Sequence, residues 1–411
     1  MSGVAAWLDL PDDHGFGLHA LPYGSVSTAG GPRRVGVAVG DRVLDLTAAA
    51  QQLLPERAAL FAAGTLDGLL AAGPGVWWEV RSAVTGWLQD DGARAVLAPL
   101  LHRAPDVAMH LPFTVADYVD FYASEHHATN VGRMFRPDSE ALTPNWKHLP
   151  LGYHGRAGTV VVSGTPVARP SGQRRTPEGE VVFGPSVRLD LEAELGFVVG
   201  VPSSLGTPVP LAAFEDHVFG VCLVDDWSAR DLQAWEYVPL GPFLGKSFAT
   251  SVGPWVVPLA ALSAARVPPP ARDPRPLPYL DDTGQDPWGL DVSLEVRLNG
   301  QLLSRPPFRT MYWTAAQQLA HLTVNGASIR TGDLFASGTI SGPERDQCGS
   351  LLELSWGGQE PVRLPDGSTR TFLEDGDEVV ITATAPGPGG TTISLGEVRG
   401  RISPAATVPG P

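Results

Sequence analysis

The residues with most chemistry to offer in this sequence are acidic. In the run 187–195, VRLDLEAEL, apolar side chains hold the odd positions and Arg188, Asp190, Glu192 and Glu194 the even ones. Extended backbone sends alternate side chains to opposite faces, so a strand here carries three carboxylates in a row on one face. Same-face neighbours stand about 7 Å apart, and at an effective dielectric near 20 each ionised pair repels by about 2 kcal/mol. Either that face is solvated or a positive charge sits against it. A second acidic pair, Asp225-Asp226, ends the apolar run HVFGVCLV, where a carboxylate either caps a turn or faces a site at the end of a strand. With Asp120 upstream, Glu192, Glu194 and Asp226 would make an all-oxygen cage, suited to Ca2+ or Mg2+ and not to a soft metal. No EF-hand spacing is present, so such a cage has to be assembled from separate segments.

Other reactive side chains gather in three stretches. Residues 117–136, DYVDFYASEHHATNVGRMFR, hold Asp120, Tyr122, His126, His127, Arg133 and Arg136. In one continuous helix Asp120 and His127 would share a face but lie about 10 Å apart along the axis. Either the backbone bends between them, or they serve different ends of one site, with Asp120 on a metal and His127 as a base. The run 227–250, WSARDLQAWEYVPLGPFLGKSFAT, concentrates Arg230, Gln233, Tyr237, Lys246 and Thr250 among Gly and Pro residues. Arg and Lys suit carboxylates or a developing oxyanion, and Gln and Tyr add neutral donors; for any one of them alone, a surface salt bridge is the ordinary alternative. Gly338-Thr339-Ile340-Ser341-Gly342 is a flexible loop with two hydroxyls. The segment 350–356, SLLELSW, reads as a strand in which Glu353 either faces solvent or takes a basic partner or a histidine to orient.

A β-rich scaffold has to position these groups. Residues 34–46 alternate around Gly40-Asp41, which predicts a hairpin and an opening β unit. Residues 47–101 carry Ala/Leu-rich helical stretches broken by Gly64, Gly73-Pro74-Gly75 and Asp91-Gly92. Beyond about Leu111 the texture turns to aromatic, His and Arg residues among Gly and Pro, with strand-like runs at 159–167, 181–200, 218–225, 291–302, 350–356 and 377–384. A boundary is expected near 112–116, dividing the chain into 1–115 and 116–411. The proline-rich segment Pro268 to Pro287 reads as a long surface excursion within the second unit.

Composition narrows the function classes. The chain has 411 residues and a formal charge of -15, which argues against a nucleic-acid binder or an anionic-membrane binder. Two cysteines supply neither a disulfide framework nor a thiolate zinc site. No stretch of 18 apolar residues occurs, and the expectation is a soluble cytoplasmic protein.

Taken together, DYVDFY with HHATNVGRMFR, NWKHLPLGYHGRAGTVVVSGTPV, LDLEAEL, DDWSARDLQAWEYVPLGPFLGKSFATS, MYWTAAQQLAHLTVNG, GDLFASGTISG with LLELSW, and FLEDGDEV resemble the fumarylacetoacetase family over most of 112–384 in collinear order. The resemblance implies a mainly β (α+β) chain, with an N-terminal SH3-like β domain followed by a C-terminal mixed β-roll, assembled as a homodimer. It implies a metal-dependent hydrolase that cleaves the carbon–carbon bond of 4-fumarylacetoacetate, a small anionic diketo acid, to fumarate and acetoacetate at the end of tyrosine and phenylalanine catabolism. By position, Asp120, Glu192, Glu194 and Asp226 are similar to the ligands of a divalent metal, Mg2+ and/or Ca2+, with Lys246 and Thr250 at a second, Mg2+-type contact. His127 resembles the general base, Glu353 its orienting carboxylate, and Arg230, Gln233 and Lys246 the oxyanion-stabilising set. Tyr122, Arg136, Tyr153, Gln233, Tyr237 and Thr339 match substrate contacts. The competing expectations are a relative acting on acylpyruvates or oxaloacetate-like acids, and a silent metal-stabilised binder of a small acid.

Overall fold

The computed structural model describes residues 6–11 and 13–407. The hairpin forms where the alternation places it: Arg34–Val39 pairs with Arg42–Asp45 across Gly40-Asp41, and Gly40 takes a φ of +62°, a conformation that glycine adopts without the penalty a Cβ would bring. These strands belong to a five-stranded antiparallel sheet in the order Leu101–Arg103, Arg42–Asp45, Arg34–Val39, Tyr23–Thr28, Val107–His110. The helix Pro74–Gln89 starts just past Gly73 and buries Val80, Val84 and Leu88 along one stripe at four-residue spacing.

The central feature is an eight-stranded mixed sheet. Its main path runs Gly152–His154, Tyr118–Phe121, Leu334–Ala336, Ala193–Val199, Val218–Asp226, Thr250–Val252, Val160–Val162, with Val257–Pro258 pairing off it. The inner strands are apolar on both faces because both faces are covered. Val198, Cys222 and Val224 face the core shared with the N-terminal unit, whereas Phe197, Val221 and Leu223 face the other core. That second core is shared with a five-stranded sheet in the order Gln301–Ser304, Ser293–Leu298, Glu378–Pro386, Thr392–Ser403, Val167–Ala168. The proline-rich excursion is closed at its base by the pairing of Arg266–Val267 with Gly289–Leu290.

Three local expectations meet the structure here. Residues 187–195 are not one strand: Leu189–Asp190 pairs with Ser228–Ala229, and a new strand begins at Ala193. Asp190, Glu192 and Glu194 are all buried, so the acidic face is not solvated. Residues 350–356 are not a strand either. Ser350 accepts from the Glu353 amide and starts a helical turn, Leu351–Leu354, as a serine N-cap does. Between Asp120 and His127 the backbone bends, from the strand Tyr118–Phe121 into the helix Glu125–Phe135.

Candidate active site

Strand register assembles the acidic cluster. Asp120 lies opposite Ala336 in a parallel pair and opposite Tyr153 in an antiparallel one. Asp226 ends its strand opposite Thr250, and its amide donates to the Glu192 carbonyl at 3.2 Å. Glu194 projects from the next strand over. Asp120, Glu192, Glu194 and Asp226 are buried, and each offers an oxygen within 4.8 Å of the others.

Compensation within this cluster is uneven. Glu192 pairs with the Arg230 guanidinium at 2.7 Å and with the Lys246 ammonium. Burial alone would raise its pKa, but Lys246, Arg230 and His127 together hold it well below the usual carboxylate range. Asp226 accepts from Lys246 Nζ at 2.9 Å, from Thr250 Oγ1 at 2.6 Å and from Tyr153 Oη at 3.3 Å. By contrast, Asp120 Oδ1 and both Glu194 oxygens are buried without a hydrogen-bond partner. Burial first, and the neighbouring carboxylates second, push both groups well above the ordinary range. Buried, unpartnered anionic oxygens converging on one point are what a bound cation relieves, and an all-oxygen donor set fits a hard divalent ion.

Lys246 and Thr250 meet the cluster as donors to Asp226. A protonated amine has no lone pair for a metal. Burial disfavours the Lys246 charge, but Asp226, Glu192 and Asp120 outweigh that and raise its pKa. Its side chain is therefore a cationic partner of the cluster. Asp190 also leaves the acidic face. It accepts from the amides of Leu351 and Leu352 at 2.8 and 3.1 Å and from Arg230 Nε at 2.9 Å. Asp190 thus ties the guanidinium to the turn that carries Glu353. In the sequence it sits with the cluster only because it keeps the period of two.

The imidazole side is built from the helix Glu125–Phe135. Ser124 caps it by accepting from the His127 amide, which sets His127 in the first turn, 3% exposed. His127 Nδ1 lies 2.7 Å from Glu353 Oε2. Asn130 Nδ2 donates to Glu353 Oε1 at 3.0 Å, and Ser341 and Ser350 hydroxyls donate to Oε2, each at 2.9 Å. Burial would raise the Glu353 pKa, yet His127, Asn130 and Ser341 hold it below the usual range. Asn130 and Ser350 escape the sequence reading; the available signal for Asn130 is its place three residues after His127 on one helix face.

The remaining candidates divide by position. The Tyr122 ring stands edge-on to His127 at 5.4 Å between centroids. Gln233, one turn after Arg230, accepts from Arg230 Nη1 at 3.3 Å. Thr339 is buried in the loop after Leu334–Ala336. Arg136 closes the His127 helix and donates to the Ala141 carbonyl at 2.7 Å. Tyr237 is 44% exposed at the end of the helix Arg230–Glu236. A cavity of about 130 Å³ opens on the Lys246 side, lined by Tyr153, His154, Arg156, Phe243, Lys246 and Ser247 among others.

Residues 117–403 match the family described as Fumarylacetoacetate (FAA) hydrolase C-terminal, and residues 19–112 match Fumarylacetoacetase N-terminal. The chain is 47% identical to a fumarylacetoacetase of Homo sapiens over 417 residues, 97% of this chain and 99% of that protein. It is 47% identical to one of Caenorhabditis elegans over 423 residues, 98% and 100% of the two chains. Among solved structures, a fumarylacetoacetate hydrolase from psychrophilic Exiguobacterium antarcticum shares the fold at a TM-score of 0.55 and 17% identity, covering 94% of this chain and all of that one. A maleylpyruvate hydrolase from Sphingobium sp. SYK-6, in complex with manganese (II) ion and pyruvate, superposes at a TM-score of 0.52 and 15% identity over 94% of this chain and all of its own.

Proposed function

The chain belongs to the fumarylacetoacetate hydrolase family, and on that premise we propose that it hydrolyses the carbon–carbon bond of 4-fumarylacetoacetate to fumarate and acetoacetate. The observation that carries this reading is a buried histidine–carboxylate pair at 2.7 Å whose imidazole lies within electrostatic reach of Glu192, a member of the four-carboxylate cluster. Breaking a bond between carbons requires both activation of water and stabilisation of the departing carbanion. The two halves of the site supply one each.

Asp120, Glu192, Glu194 and Asp226 would hold the divalent ion. When bound, that ion supplies Lewis-acid polarisation of the diketone oxygens. His127, with Nδ1 held by Glu353, takes a proton from water at Nε2 as the oxygen adds to the fumaryl-side carbonyl; base catalysis of this kind gives about 10²–10⁴-fold. Arg230, Gln233 and Lys246 donate to the resulting alkoxide. Its collapse breaks the carbon–carbon bond: the fumaryl fragment leaves as an acid that ionises to fumarate, and the acetoacetate carbanion takes the proton back from His127. Tyr122, Arg136, Tyr153, Gln233, Tyr237 and Thr339 contact the substrate in this reading.

Residues 1–115 form an SH3-like N-terminal unit and residues 116–411 a catalytic β-roll; the five-stranded antiparallel sheet supports the first. The metal is Mg2+ and/or Ca2+, for which the all-oxygen donors speak. The chain works as a cytoplasmic homodimer within tyrosine and phenylalanine catabolism. Exposed Val238, Leu240 and Phe243 provide apolar surface for a second copy, and among the described residues no helix is long and apolar enough to cross a membrane. The test is the ultraviolet absorbance of fumarylacetoacetate on mixing with the protein. It should decay, stop on chelation, and resume with Mg2+ or Ca2+. Persistence of the absorbance with metal-replete protein that hydrolyses an acylpyruvate instead would sink the assignment.

A further inference from the structure

We infer that Asn130, Ser341 and Ser350 are positioning residues that fix Glu353 as a pure acceptor and so hold His127 in the tautomer with its proton on Nδ1. The inference deepens the reading of His127 as the base and rests on it for its catalytic consequence. A hydroxyl carries one hydrogen and two lone pairs, so an amide that donates to one lone pair leaves the hydrogen free for the nearest acceptor. Ser341 Oγ accepts from the Gly349 amide at 3.1 Å, and Ser350 Oγ accepts from the Glu353 amide at 3.3 Å. Each hydroxyl hydrogen is left to Glu353 Oε2, at 2.9 Å in both cases.

Oε2 therefore receives two hydroxyl hydrogens and has His127 Nδ1 at 2.7 Å as its third neighbour. An oxygen so surrounded has no room for a proton of its own, and Nδ1 must be the donor. The other oxygen, Oε1, is held by Asn130 Nδ2 at 3.0 Å. Asn130 cannot present its amide oxygen there without setting two acceptors against each other. Its place three residues after His127 puts both groups on one face of the same helix, so imidazole and amide grip the two carboxylate oxygens together. Rotation of the carboxylate would break four contacts at once. The lone pair is thereby left on Nε2, the nitrogen that has to receive the proton from water.

The test uses full-length, metal-loaded protein with 15N-labelled histidine, the His127 ring signals being assigned by their loss in His127→Gln. Wild type should show a single Nδ1-protonated tautomer. In Asn130→Ala and in Ser341→Ala the ring signals should move toward a tautomer mixture. kcat should fall about tenfold in each, as expected for losing one hydrogen bond to a charged group, with KM changed less than about twofold. Ser350 also starts the Leu351–Leu354 turn, so Ser350→Ala is read only alongside a melting curve, and the other two variants decide. Unchanged ring signals in both, or a lower kcat with the wild-type tautomer retained, would overturn the inference. Because the ring spectrum needs no substrate, it decides this point even if fumarylacetoacetate proves not to be turned over.

Discussion

Glu353 and Glu194 are buried carboxylates of one site, yet the first is held by His127, Asn130, Ser341 and Ser350 while both oxygens of the second are without a hydrogen-bond partner. The imidazole side is complete within the chain. Its geometry is set by a helix cap, a helical turn and a loop, all of them packed. The acidic side brings four carboxylates together with the Lys246 ammonium and the Arg230 guanidinium, and leaves Asp120 and Glu194 short of donors. The difference separates a carboxylate compensated by the chain's own donors, preorganised before any reaction, from a cluster that leaves buried oxygens which a bound cation would offset.

The largest expected effect separates the two halves. His127→Ala should lower kcat by about 10²–10⁴-fold while bound metal, measured by elemental analysis, stays at the wild-type stoichiometry. Loss of metal in step with loss of activity would mean that the halves are one unit. Glu194→Gln is the converse experiment. It should lower bound metal and activity together, and in chelator the variant should melt above chelated wild type. A neutral amide relieves a repulsion on the order of 3 kcal/mol per ionised neighbour at an effective dielectric near 20, the four carboxylates having oxygens within 4.8 Å of one another, a figure that solvent and proton uptake reduce. If chelated Glu194→Gln melts below chelated wild type, the uncompensated charge is not what limits the metal-free protein.

How much of this is legible beforehand follows from the physics of each segment. Asp120, Glu192, Glu194 and Asp226 stand out because acids interrupting apolar runs are costly unless they meet something, and the structure brings those four together. The bend between Asp120 and His127 stays open in the sequence because helix and strand both fit residues 117–136 locally, and the pairing of Tyr118–Phe121 with Leu334–Ala336, over two hundred residues on, decides it. The helical turn at Glu353 reads wrongly as a strand because LLEL is too short for periodicity to distinguish helix from buried strand; the Ser350 cap settles it. Asp190 misleads for a related reason. Its amide partners at Leu351 and Leu352 lie far along the chain, and no local pattern announces them.

A smaller effect tests the imidazole side through pH. Glu353 is held below the usual range: burial opposes its charge, but His127 and the surrounding donors prevail. A group whose folded-state pKa is depressed adds stability that is fully present above its unfolded value, about 4.3 for glutamate, and is lost as pH falls through the folded value. Glu353→Gln removes this contribution. The wild type should therefore be the more stable of the two at pH 7, with the gap narrowing below about pH 4.3 in urea melts of metal-loaded protein. A gap that is constant across that range would show that Glu353 contributes by packing alone.

The smallest effect is expected where the site meets solvent. Tyr237 is 44% exposed, against 3% for His127 and 0% for Glu194, so whatever its hydroxyl offers an incoming substrate is offered in competition with water. A neutral hydrogen bond is worth about 0.5–1.5 kcal/mol net when well formed, and toward the low end when water replaces it readily. Tyr237→Phe should raise KM by about two- to fourfold, the equivalent of that lower range, and leave kcat and metal content as they were. A fall in kcat beyond about tenfold would mean that the end of the helix Arg230–Glu236 closes over the reacting carbons during turnover, and that the division of the site into an imidazole half and a carboxylate half omits a third, mobile part.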